Sequence, residues 1–78
     1  GVAVGTSGNV YVAEFSNHMI RVVTSSGVVT TLAGSTSSGS SDGTGSSATF
    51  NQPTGVAVDT SGNVYVADSG NNMIRKIT

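Results

Sequence analysis

Residues 1–24 can be laid on residues 55–78 without a gap, and 17 of the 24 positions are identical. The pairs that differ are Gly5/Asp59, Glu14/Asp68, Phe15/Ser69, Ser16/Gly70, His18/Asn72, Val22/Lys76 and Val23/Ile77. A repeat spaced by several tens of residues restricts the chain to solenoids, propellers and related arrays. Each copy is a supersecondary unit that must bury its apolar surface against a neighbour.

Within each copy, short runs of β-branched residues alternate with turn chemistry, which predicts strands. The first copy reads as Gly1-Val2-Ala3-Val4, then Val10-Tyr11-Val12-Ala13, then Met19-Ile20-Arg21-Val22-Val23, then Val28-Val29-Thr30-Thr31-Leu32-Ala33. The second copy contains the first three of these and stops at Thr78, the counterpart of Thr24. In Asp59-Thr60-Ser61-Gly62-Asn63 the carboxylate can accept backbone N–H groups ahead of it, and Gly62 can take a left-handed conformation. The same logic predicts a turn at Asp68-Ser69-Gly70-Asn71-Asn72, with Gly70 as the permissive residue, and another at Ser25-Ser26-Gly27. Successive hairpins make an antiparallel meander. The strands lack clean polar/apolar alternation, which predicts cover on both faces, as in a blade stacked between blades.

Residues 55–77, Gly-Val-Ala-Val-Asp-Thr-Ser-Gly-Asn-Val-Tyr-Val-Ala-Asp-Ser-Gly-Asn-Asn-Met-Ile-Arg-Lys-Ile, closely resemble the NHL-repeat consensus. The first copy departs from it at Gly5 and at Phe15-Ser16. The resemblance implies an all-β chain of antiparallel four-stranded blades from a β-propeller. Propellers of this type usually carry six blades, so under two blades make the chain a fragment or an oligomer-forming piece. The expected organisation is a first blade over 1–34, an inter-blade loop over 35–54 and a second, three-stranded blade over 55–78. Exposed blade faces and an unpaired edge predict association with copies of itself or with flanking blades of a longer chain.

In a meander, the connection between strands two and three lies at the same end as the link between blades. Glu14, Asn17, His18 and Arg21, with Asp68, Asn71, Asn72 and Arg75, are therefore the expected binding face. Within it, Arg21 and Arg75 pair with Glu14 and Asp68 or with loop carbonyls. The rival reading is a ring of guanidinium groups at a propeller mouth. His18 is a lone histidine whose counterpart is Asn72; one histidine does not make a zinc site, and a solvent-exposed turn is the expected place. Tyr11 and Tyr65 should pack, with each hydroxyl finding a partner.

The stretch from Gly34 to Ser47 is almost entirely Gly, Ser and Thr, and reads as a flexible loop with little to bury. Its hydroxyls at Ser35, Thr36, Ser37, Ser38, Ser40, Ser41, Thr44, Ser46 and Ser47 are candidate O-glycosylation sites in a secreted protein. No Asn-x-Ser/Thr sequon occurs. Phe50 should fill an apolar gap between the blades, and Pro53 should set the approach to the next strand.

Composition closes off several functions. With 9% charged residues and a net charge of −1, no basic field exists to hold nucleic acid. There are no cysteines for disulfides or thiolate metal sites. No apolar run reaches the ~18 residues of a membrane-spanning helix. No nucleophile–base pair, carboxylate dyad or metal-ligand cluster is evident, so neither catalysis nor a cofactor is expected. The sequence thus reads as a non-catalytic scaffold in a larger extracellular assembly, with protein or carbohydrate as partners and no membrane insertion. Alternatives are an engineered or reconstructed fragment that closes a ring with copies of itself, and part of a metal-dependent lyase or hydrolase whose active site lies elsewhere.

Overall fold

A computed structural model describes all 78 residues. The strands are β1 (Val2–Val4), β2 (Val10–Glu14), β3 (Met19–Val23), β4 (Val29–Gly34), β5 (Pro53–Val58), β6 (Val64–Asp68) and β7 (Met73–Ile77). They form a four-stranded sheet in the order β1-β2-β3-β4 and a three-stranded sheet in the order β5-β6-β7. Every pairing is antiparallel. The chain is all-β, as the turn spacing predicted, and its two sheets correspond to successive blades.

The registers of the copies match position for position. Tyr11 lies across from Val22 and Tyr65 from Lys76, while Val12 faces Arg21 and Val66 faces Arg75. The first hairpins close alike despite their different residues. Gly5 N–H donates to Asn9 O at 2.8 Å, and Asp59 N–H to Asn63 O at 3.0 Å. Gly8 and Gly62 take φ of 82° and 86°, the left-handed region that disfavours a side chain.

The turn between strands two and three differs from expectation. The left-handed residues there are His18 and Asn72, at φ 58° and 56°, not Gly70. Asn tolerates this conformation because its short polar side chain bonds locally. Gly70 serves another purpose: a Cβ on it would lie 2.5 Å from Asn51 Cγ and 2.6 Å from Asn51 O. It lets the incoming backbone approach, and its own N–H donates to Asn51 O at 2.8 Å.

The core lies between the sheets. Ala13, Ile20 and Ala33 of the first blade meet Val64 and Val66 of the second, with Ala48 and Phe50 of the linker between them. Phe50 is 2% exposed, as expected of a plug between blades. Burying one such side chain stabilises by roughly 1.5–3 kcal/mol. Each blade has only one neighbour, so its other face stays open: Val2, Val4 and Ile74 are all exposed.

Candidate functional site

The densest polar chemistry of the molecule joins the linker to the second blade. Arg75 Nη1 donates to Asp68 Oδ2 at 2.9 Å and to Thr49 O at 3.0 Å. Its Nη2 donates to Ser41 O at 3.0 Å and to Asp42 Oδ1 at 2.8 Å. The guanidinium also lies 4.8 Å from the Phe50 ring centroid, a favourable cation–π distance. Strand register makes this possible, since Asp68 and Arg75 stand on adjacent strands at the end where the linker arrives.

Asp68 is fully buried and would be costly to hold there unpaired. It accepts from Asn51 N–H at 2.8 Å and from Asn71 Nδ2 at 2.7 Å, in addition to Arg75. Asn71 Nδ2 also donates to Gly39 O at 2.7 Å. Ser69 and Thr54 hydroxyls complete the contact at 2.5 Å.

The linker, expected to be flexible, is held instead. Its two ends meet where Gly39 N–H donates to Phe50 O at 3.0 Å, and Thr49 N–H donates to Ser41 O at 3.0 Å. Ser41 N–H also donates to Thr49 Oγ1 at 2.8 Å, and a short 3-10 turn spans Gly45–Ser47. Gly/Ser/Thr composition reports what a segment can bury, and here the anchoring groups are its main-chain carbonyls. Thr36, Ser37, Ser38, Ser40, Ser41, Thr44, Ser46 and Ser47 remain exposed, and Ser35 is half-buried.

The predicted face therefore divides. Asp68, Asn71 and Arg75 are enclosed by their linker contacts and are not an open binding surface. His18 is half-buried, and its Nδ1 accepts the Gln52 N–H at 3.0 Å, a linker contact rather than a free turn. Asn17 and Asn72 are exposed. Glu14 and Arg21 are half-buried and meet at 3.4 Å, a looser pair than Asp68 and Arg75. No group of three or more His, Cys, Asp or Glu residues is placed to hold a metal ion.

A cleft of about 710 Å³ runs between the linker, β4 and the outer edge of β7, walled by Leu32, Ala33, Phe50, Arg75 and Ile77. It lies along the free edge of β7, the edge that corresponds to the one β4 covers on β3 in the first blade. Sequence reasoning placed Phe50 and the pairs Arg21–Glu14 and Arg75–Asp68. It missed Asp42, Thr49 and Asn51, whose roles depend on how the linker folds back.

At the far end of the second blade, Asp59 Oδ2 accepts from Tyr65 Oη at 3.0 Å and from Asn63 Nδ2 at 3.0 Å. Its Oδ1 accepts from the Ser61 and Asn63 backbone N–H groups at 3.0 and 2.8 Å. The bonds from Asn63, with smaller ones from Tyr65 and Ser61, hold the Asp59 carboxyl below its ordinary 3.8. The hydrogen bond to Asp59, with desolvation and then the Asp59 charge adding to it, in turn raises the Tyr65 hydroxyl above 10.0. In the first blade Gly5 stands where the second has Asp59, so Tyr11, which lies across from Ala3, has no such carboxylate partner.

Comparison with known proteins agrees with this architecture. Residues 50–77, the last of the linker and the second blade, match the NHL repeat. The chain is 40% identical over 77 residues, 97% of its length, to NHL repeat-containing protein 2 of Gallus gallus. It is 41% identical over 66 residues, 85% of its length, to the Homo sapiens protein of that name. It is also 35% identical over 78 residues, 99% of its length, to the Arabidopsis thaliana protein SUPPRESSOR OF QUENCHING 1, chloroplastic. The chain spans 10%, 9% and 7% of these relatives, in that order. With a matched repeat in the second blade and a first blade of the same register, the chain belongs to the NHL-repeat family.

Proposed function

We propose that the chain is a non-catalytic scaffold, a pair of adjoining propeller blades that stack against further blades and present their turns to protein or carbohydrate partners. The observation that carries this reading is the contrast between Ile20, 0% exposed, and its counterpart Ile74, 75% exposed. One residue type at one repeat position is sealed where a blade stacks on it and bare where none does. Val2 and Val4 leave the opposite face apolar as well, at 63% and 67% exposure. Apolar surface repeated on both ends of a stack favours continued stacking.

The chemistry of the charged groups supports the same reading. Asp68 and Arg75 are engaged with each other and with linker carbonyls, which fixes the inter-blade segment to the second blade. An extracellular setting goes with this role, since most of the linker hydroxyls stand exposed to modification. Hexose-sized additions on residues 35–47 of native material are expected, and an unmodified peptide would remove that part of the proposal.

The test is the mass of the particle in solution by native mass spectrometry or light scattering. Discrete oligomers or larger stacks are expected, with Ile74→Lys lowering the mass. A strictly monomeric chain with cooperative unfolding would overturn the stacking role.

A further inference from the structure

We propose that Arg21 and Glu14 form a second linker clasp, built to take the extended inter-blade segment of a neighbouring blade along the first blade. The proposal rests on the stacking reading above and names the partner of one surface within it. Arg21 and Arg75 occupy the same repeat position, each across from the middle valine of its neighbouring strand. Arg75 shows what such a residue holds here: two main-chain carbonyls and two carboxylates. Arg21 shares only Glu14, through one nitrogen at 3.4 Å, and its Nε is buried without a hydrogen-bond partner. A buried guanidinium N–H without an acceptor is destabilising, so a carbonyl or carboxylate brought to Arg21 is favoured.

The differences between the copies indicate how that segment lies. Asp68 and Gly70 contact Asn51 directly, and Gly70 permits an approach that any Cβ would obstruct. The first blade has Ser16 at the Gly70 position and Glu14 at the Asp68 position. Ser16 moves the backbone outward, while the extra methylene of Glu14 carries its carboxylate outward by about one C–C bond, roughly 1.5 Å. The two changes compensate. The partner is thus an extended segment that offers carbonyls and an acidic side chain to Arg21 and a backbone N–H to Glu14, seated slightly farther from the sheet than residues 39–53 are on the second blade. Charge complementarity and the repeat position that Arg21 shares with the linker-holding Arg75 both favour this occupant.

The test places a copy of residues 39–54 directly before Gly1, which reproduces the covalent context of Gly55. Arg21→Met is then compared in the parent and the extended chain by urea unfolding, with the Arg21 Nε–H signal followed by NMR. The extended chain should be the more stable. Arg21→Met should cost it on the order of tenfold more in the folding equilibrium than it costs the parent, in line with a hydrogen bond to a charged group. The Nε–H signal should shift and its exchange should slow. Equal costs in the two chains would overturn the proposal. Coupling that arises only after Ser16→Gly would also overturn it, because the natural first blade would then reject the segment. Particle mass is read separately, so failure of this clasp and failure of stacking are distinguishable.

Discussion

Ile20 and Ile74 stand at one repeat position 54 residues apart, yet Ile20 is sealed against Phe50 and the second blade while Ile74 lies open. Identical local sequence has given opposite environments, decided by whether a blade follows. Ile20→Ala should therefore cost about 2–5 kcal/mol, the range for truncating a buried Ile to Ala. Ile74→Ala in dilute chain should stay within about 0.5 kcal/mol. Chemical denaturation of the two variants checks the contrast, and equal losses would show that the two faces are equally covered.

Asp68→Ala is expected to destabilise the chain by about 3–5 kcal/mol, because it leaves Arg75 and the Asn51 N–H without their buried acceptor. Amide exchange should quicken at Gly39, Thr49 and Asn51, whose N–H groups are protected by the folded-back linker. Unchanged exchange at those three amides would mean that the linker does not depend on the clasp.

Gly5→Asp should stabilise the first hairpin by about 0.5–1.5 kcal/mol through new hydrogen bonds to the turn and to Tyr11. The second blade already accommodates this arrangement with Asp59 and Tyr65. The added Cβ would sit 3.1 Å from Tyr11 Cε2, so the ring must yield by a few tenths of an ångström. A fall in thermal midpoint would mean that the contact outweighs the new bonds.

The Asp59–Tyr65 pair gives stability a dependence at both ends of the pH scale. Asp59 is held below 3.8 in the folded chain, so its contribution is present above that pH and fades as pH falls through the lowered value. Tyr65 is held above 10.0, so its contribution is present below pH 10.0 and is lost as pH rises through the raised value. Urea midpoints measured across pH should lose the acid slope in Asp59→Asn and the alkaline slope in Tyr65→Phe. Slopes that persist in those variants would place the titration on other groups.

The strands, their antiparallel order and the blade repeat were legible because each rests on local chemistry. β-branched runs favour a pleated surface, Gly8 and Gly62 turn the hairpins, and a 17-in-24 match cannot be read as two unrelated elements. Phe50 was legible for a similar reason, since a lone large aromatic between two apolar units has one economical place to go. What only the tertiary structure decided is which backbone groups meet which side chains. Nothing in Gly-Ser-Ser-Asp-Gly-Thr-Gly marks it as ordered, because beside the Asp42 carboxylate its contribution is the Gly39 and Ser41 carbonyl oxygens, a group every residue carries alike. Arg75 selects the Ser41 and Thr49 carbonyls only after the linker has folded back, and Gly70 matters only because Asn51 arrives beside it. Local sequence determined the blades, and long-range hydrogen bonding determined the clasp that fixes the linker to the second of them.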